Sequence, residues 1–256
     1  MSRSVSSLVQ TVVVTGIALA PVMASAQVTT AQVASRDQAA ELACGARAVG
    51  MPPDTSIRIA AGRERGKALF GPNDALVINA GTGRGIKVGQ EYYVRRVIDD
   101  RFVAAAGDNV PRSSIHTAGW VRIEDAQTDS AIATVIKACD AIEEGDYLEL
   151  FVKPTVPASA EAAGEPDFEN PGHLVLGDER RQMAAAGDLM VLDRGSDHGL
   201  RAGQHLTIFR TTGNGTGPIA RVAEATVLVV SPETSTIRID KTSDAVNVGD
   251  LVAIHR

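Results

Sequence analysis

Two stretches of this 256-residue chain repeat one another without a gap. Asp74 to Arg96 reads DALVINAGTGRGIKVGQEYYVRR and Asp188 to Arg210 reads DLMVLDRGSDHGLRAGQHLTIFR, an offset of 114 residues. Seven of the 23 positions are identical: Asp74/Asp188, Val77/Val191, Gly81/Gly195, Gly85/Gly199, Gly89/Gly203, Gln90/Gln204 and Arg96/Arg210. Most of the others exchange one apolar residue for another, or Lys for Arg. A unit that recurs in this way is the basic unit of the fold. What recurs is glycine and apolar alternation, which specify backbone shape, and no cluster of nucleophiles, bases or metal ligands recurs with them.

The copies also end alike. Ala141 to Leu148 (AIEEGDYL) corresponds to Ala245 to Val252 (AVNVGDLV), now at an offset of 104. The change in offset places a longer excursion in the first copy, within Asp99 to Thr117. Period-two alternation predicts strands at 57–61, 75–79, 91–98, 119–124, 131–136 and 147–152, then at 173–176, 189–193, 205–210, 221–230, 235–239 and 250–255. Six short strands per copy predict a mainly β protein: two tandem small β-barrel-like modules from an internal duplication, preceded by one short N-terminal helix.

The boundaries follow from composition. Residues 1–26 carry Arg3, an apolar stretch and Ala24-Ser25-Ala26, the pattern of a secretory signal peptide cut before Gln27. Residues 27–55 are a flexible lead and a short helix, the helix falling in Ala-rich Arg36 to Val49 with Ser35 as cap and Gly50, Pro52 and Pro53 as stop. The first module spans 56–153, a Pro/Ala/Glu linker spans 154–171, and the second module spans 172–256. The linker leaves open whether the modules tumble separately or dock.

Each copy carries G-x-x-x-G-x-x-x-G between two strands, at Gly81, Gly85, Gly89 and at Gly195, Gly199, Gly203. This spacing predicts two consecutive tight turns between paired strands, with Ile86 and Leu200 inward and Lys87 and Arg201 outward. Gly81-Thr82-Gly83-Arg84-Gly85 is not a dinucleotide fingerprint, because a strand rather than a helix follows it. Asp193, Asp197 and His198 face Asn79, Gly83 and Arg84 in the other copy, so the cation-binding reading gives way to a solvated turn. His116, His173, His205 and His255 lack metal-ligand spacing. No catalytic, cofactor or metal residue is assigned.

Cys44 and Cys139 are the only cysteines. In an exported chain they form either a disulfide, closing a loop of roughly 95 residues worth about 4 to 5 kcal/mol, or two buried thiols. Without residues 1–26 the chain holds 24 basic against 31 acidic residues, a balance that disfavours nucleic acid. Aromatic content of 4% is low for a protein that grips sugars or peptides by stacking.

The phrases DALVINAGTGRGIKVGQEYYVRR, GDLMVLDRGSDHGLRAGQHLTIFR and GDLVAIHR resemble small β-modules of bacterial cell-envelope proteins. Such modules occur C-terminal to LysM peptidoglycan-binding domains and resemble β-domains of periplasmic flagellar-ring accessory proteins. The resemblance covers roughly 56–153 and 172–256, and no LysM segment is present. It implies a periplasmic or secreted, non-enzymatic protein that binds envelope proteins or, as the alternative, peptidoglycan, with no membrane segment after signal cleavage. An enzymatic reading, a hydrolase with an unrecognised site, would have to draw on Asp99, Asp100, Asp108 and His116 or on the linker acids.

Overall fold

A computed structural model describes residues 38–49, 53–99, 113–157, 164–177, 181–212 and 217–256. The signal peptide and lead, most of the excursion between 99 and 113, and residues 158–163 of the linker lie outside the described residues. Among these the chain is mainly β, with one α-helix, α1, at 38–44.

The strands of the first half are β1 (Arg47–Val49), β2 (Ile59–Gly62), β3 (Leu69–Phe70), β4 (Ala75–Ile78), β5 (Glu91–Asp99), β6 (Ser113–Ala126), β7 (Ala131–Ala138), β8 (Ile142–Glu143) and β9 (Tyr147–Leu150). They form a sheet in the order β2-β4-β7-β6-β5-β9, with β1 alongside β6 and β3 pairing β8 separately. The two ends of the path meet at the Arg58–Tyr147 bridge, reinforced by Leu148 N–H to Ile57 O at 2.8 Å and Ile59 N–H to Asp146 O at 2.9 Å.

The second half holds β10 (Pro166–Gly177), β11 (Met183–Ala184), β12 (Leu189–Leu192), β13 (His205–Thr211), β14 (Ile219–Val230), β15 (Ser235–Thr242), β16 (Val246–Asn247) and β17 (Leu251–His255). Here β10-β12-β15-β14-β13-β17 closes into a six-stranded barrel, and β11 pairs β16. The two paths run through their strands in the same sequence. Closure in the second half comes from the length of β10, which pairs β17 at His173–Leu251 and Gly172–Val252 and again, beyond a bulge, at Asp167–Ile254 and Pro166–His255.

Alternation selects the interiors. Leu76, Ile78, Ile86, Tyr92 and Val94 line one core, and Met190, Leu192, Leu200, Leu206 and Ile208, 114 residues on, line the other. In the closing portions Val121, Ile123, Ala133 and Val135 correspond to Ala225, Val227, Ile237 and Ile239. Burying such side chains contributes roughly 1.5–3 kcal/mol for each large one.

The structure departs from the sequence expectations in three places. The N-terminal helix ends at residue 44, and 47–49 is strand β1, paired with β6 at Arg47–Ile115. The edge of β6 left open where β7 stops at Ala138 accepts that backbone, and ladder bonds override the Ala-rich helix propensity. The end of the linker is strand, because β10 starts at Pro166, where the first residue of a strand tolerates the missing N–H. The glycine turns do not join paired strands: β4 and β5 are not neighbours, nor are β12 and β13. Each turn instead crosses one end of its sheet and drops Ile86 or Leu200 into the core.

The halves are docked through the N-terminal segment. Leu42 of α1 packs with Leu189 and Leu228 on the outside of the barrel in the second half, and Ala46 and Ala48 pack with Val175, Leu176 and Val191. On its other side β1 is part of the first sheet, and Cys44 forms a disulfide with Cys139 just beyond β7, with Cα atoms 5.6 Å apart. Reduction, or Cys139→Ser, is therefore expected to lower stability by up to about 4 kcal/mol. Denaturant unfolding of the oxidised and reduced protein checks this, and identical midpoints would contradict it.

Candidate functional site

The repeated glycine turns share one backbone conformation. A 3-10 turn at Thr82–Arg84 ends on Gly85 with φ 82°, and its counterpart Ser196–His198 ends on Gly199 with φ 82°. Gly89 and Gly203 take φ 83° and 84°. Positive φ costs an L side chain roughly 1–2 kcal/mol, which accounts for four of the six glycines. Gly81 and Gly195 serve a different purpose: a Cβ there would sit 2.0 Å from Gln127 O and 2.1 Å from Ser231 O.

The turn amides are already engaged. Thr82 N–H donates to Gln127 O at 2.7 Å and Gly83 N–H to Thr128 O at 3.0 Å, while Ser196 and Asp197 donate to Ser231 and Pro232. A phosphate cradle needs such N–H groups free and convergent. Here they tie the turn to the hairpin that joins the two strands across the sheet.

The polar residues shared by the copies are engaged in the same manner. Asp74 accepts from Gly71 N–H and Asp188 from Ala185 N–H, both at 2.7 Å. Gln90 accepts from Lys87 N–H at 2.8 Å and Gln204 from Arg201 N–H at 3.1 Å. Arg96 grips Asp146 through two bonds of 2.7 and 2.9 Å, and Arg210 grips Asp250 through two of 2.6 and 2.8 Å. The same carboxylates accept from Glu143 N–H at 2.9 Å and Asn247 N–H at 2.8 Å, pinning the turn before the last strand. Pairing raises both guanidinium pKa values above their ordinary range. The sequence carries a signal for this pair: Arg96/Arg210 in the long block and Asp146/Asp250 in the closing block are charged residues common to both copies.

The cation reading at Asp193, Asp197 and His198 dissolves in the geometry. Asp193 accepts from His173 N–H at 2.6 Å and sits 3.1 Å from the His173 ring, and His198 Nδ1 accepts from Gly195 N–H. Among the described residues no three His, Cys, Asp or Glu side chains are grouped to hold a metal. His116 faces Asp140 at 3.0 Å, and Ser113 bonds Asp99 at 3.1 Å. His255 is bonded to Thr207 at 2.8 Å, with its pKa pushed down by burial and by the neighbouring His205. Asp100 and Asp108 lie outside the described residues. No described helix is long and apolar enough to cross a membrane.

Two features had no counterpart in the sequence reading. One is a cleft of about 640 Å³ beside the disulfide, bordered by Glu41, Lys137, Arg181 and Asp188. The other is a polar and aromatic cluster on the outer face of the first sheet. Val94 and Leu148 point into the core, so Tyr93, Arg95, Tyr147 and Glu149 point outward. The Arg95 side chain is only 6% exposed, and its guanidinium carbon lies 3.8 Å from the Tyr93 ring centroid. Its Nη1 is 2.6 Å from Glu149 but off the donor direction, so no hydrogen bond forms there. Arg47 Nε and Tyr147 Oη are likewise buried without a hydrogen-bond partner. Phe151 stacks between Tyr93 and Trp120, at centroid distances of 4.6 and 5.2 Å.

No protein-family model matches this chain, and no curated protein matches it either.

The turn and latch geometry makes two quantitative expectations. Gly81→Ala should destabilise by more than Gly71→Ala, whose Cβ would meet open space, with a difference of about 1–3 kcal/mol. Asp146→Asn should cost about 1–3 kcal/mol, since the Asp146 side chain is 2% exposed, whereas Glu224→Gln in the exposed Lys241 pair should cost under about 0.5 kcal/mol. Chemical denaturation of the four variants checks the ordering.

Proposed function

We propose that this chain is an exported, non-enzymatic protein of the bacterial envelope, made of two tandem β-barrel modules that arose by duplication, and that it serves as a binding or structural scaffold for protein partners in the periplasm or outside the cell. The observation that carries this reading is the fate of the shared polar residues. Asp74, Gln90, Arg96 and Asp146, with their partners in the second half, all bond to turns or to each other. What was duplicated is then a way of holding shape, which suits a scaffold and supplies no reacting group.

The common strand path and matched cores support the duplication. The disulfide suits an oxidising compartment, in keeping with the signal-peptide pattern of residues 1–26. The turns at Gly81–Gly89 and Gly195–Gly203 are rigid and lie at one end of each sheet, with Lys87, Val88 and Arg201 exposed. Rigidly positioned loops are where such scaffolds present contacts.

Peptidoglycan binding is the second reading. It rests on the resemblance to LysM-associated modules, together with the half-exposed Trp120 and Phe151 on the outer face.

Affinity capture from envelope extract, comparing the native chain with a Lys87→Glu, Val88→Ser, Arg201→Glu variant, tests the first reading. Loss of defined partners from the variant is expected, and an unchanged set of partners would count against these loops. Sedimentation with purified sacculi tests the second, and protein left in the supernatant at low salt would end it.

A further inference from the structure

We propose that the outer face of the first sheet binds a carboxylate carried on an apolar or ring-shaped body, held by Arg47 and Arg95, with the Tyr147 hydroxyl as a further donor and Trp120 and Phe151 as a flanking wall. Two buried donors, Arg47 Nε and Tyr147 Oη, stand without a hydrogen-bond partner in one neighbourhood, and beside them Arg95 Nη1 meets only the Glu149 carboxylate, in an ion pair of 2.6 Å that is off the donor direction. Two guanidiniums act on each other there with Glu149 as the nearest opposing charge. A buried cation short of acceptors is costly, and an incoming oxyanion supplies both charge and lone pairs.

The second half serves as an internal control. The positions matching Tyr93, Arg95, Tyr147 and Glu149 are Thr207, Phe209, Leu251 and Ala253. There Phe168 covers Phe209 edge-on at 5.0 Å with the Arg221 guanidinium 5.6 Å from the Phe168 ring, and the four matching positions hold no ionisable side chain. The fold therefore does not need a buried ion pair on this face, and replacing buried ion pairs by apolar groups is often neutral or stabilising. The charged set in the first half calls for a role beyond packing.

Access and competition follow from Glu149. Its side chain is 41% exposed while the Arg95 side chain is nearly covered, so the carboxylate forms the solvent edge of the cluster. It already places an oxygen near Arg95, without hydrogen-bond alignment, and an external carboxylate would displace it outward. Tyr147 keeps its proton as a donor throughout the neutral range, its pKa being pushed up to about 12 by burial.

Trp120 is the chain's only tryptophan and lies beside the cluster, so its fluorescence reports on occupancy. The experiment titrates the full exported chain, disulfide intact, with cyclohexanecarboxylate, acetate, phosphate and chloride at constant ionic strength. Cyclohexanecarboxylate should give a saturable change in the millimolar range, below about 50 mM, and acetate should bind several-fold more weakly. Arg47→Gln and Arg95→Gln should each weaken binding about tenfold or more, the loss expected when a charge-assisted bond is removed. Glu149→Gln should strengthen it, an effect that a purely structural cluster would not produce. Near-ultraviolet circular dichroism verifies the fold of each variant; should Arg95→Gln unfold, Arg47→Gln and Glu149→Gln carry the test. A flat or linear titration with cyclohexanecarboxylate, a response to phosphate alone, or affinities unchanged in Arg47→Gln would overturn the proposal. Such a failure leaves the scaffold reading standing, because that reading is tested at the glycine turns by affinity capture.

Discussion

The arrangement of the two halves depends on the short segment from residue 38 to residue 49 and on the covalent bond that anchors it. Its strand extends the first sheet beside β6, its helix and alanines cover the apolar outside of the barrel in the second half, and Cys44 ties it to Cys139. Without this segment Val175, Leu176, Leu189, Val191 and Leu228 would lose the apolar groups that cover them. At about 25 cal/mol per Å² of apolar area, that exposure would be destabilising. The disulfide holds the segment in place by restricting the unfolded chain, and so converts two linked sheets into one body.

Within each half, shape is held by main-chain economy more than by numerous side-chain contacts. A glycine admits a neighbouring carbonyl, the next two take positive φ, and a single Arg–Asp pair locks the last turn. The pair at Arg96 and Asp146 is effective because the carboxylate is almost wholly buried and satisfied from both sides, unlike the solvated Lys241–Glu224 pair. The halves also differ on their outer faces: apolar Phe209 and Leu251 in one, Arg95 and Tyr147 in the other.

Much of this was legible in residue order. The matched blocks, the period-two alternation and the glycine spacing located most strands within a few residues, though not the starts of β6 and β10, because a half-buried strand alternates and glycine most readily takes a positive φ. The two-residue ribbons β3 with β8 and β11 with β16 escaped notice, being too short to show any period. The Arg–Asp latch escaped because its partners lie 50 and 40 residues apart and nothing local links them. The aromatic and arginine cluster escaped because Arg47, Arg95, Trp120 and Tyr147 come from four separate strands or turns.

The sequence by itself determined the repeating unit, the inward-facing residues and the bends, since alternation and glycine spacing are encoded within a few neighbouring positions. Tertiary structure alone decided which strands are neighbours, that β1 forms at all, that Pro166 begins a strand, and that two guanidiniums share one buried face. Those outcomes rest on backbone edges and side chains far apart along the chain, where the free energy belongs to the encounter and not to either segment alone.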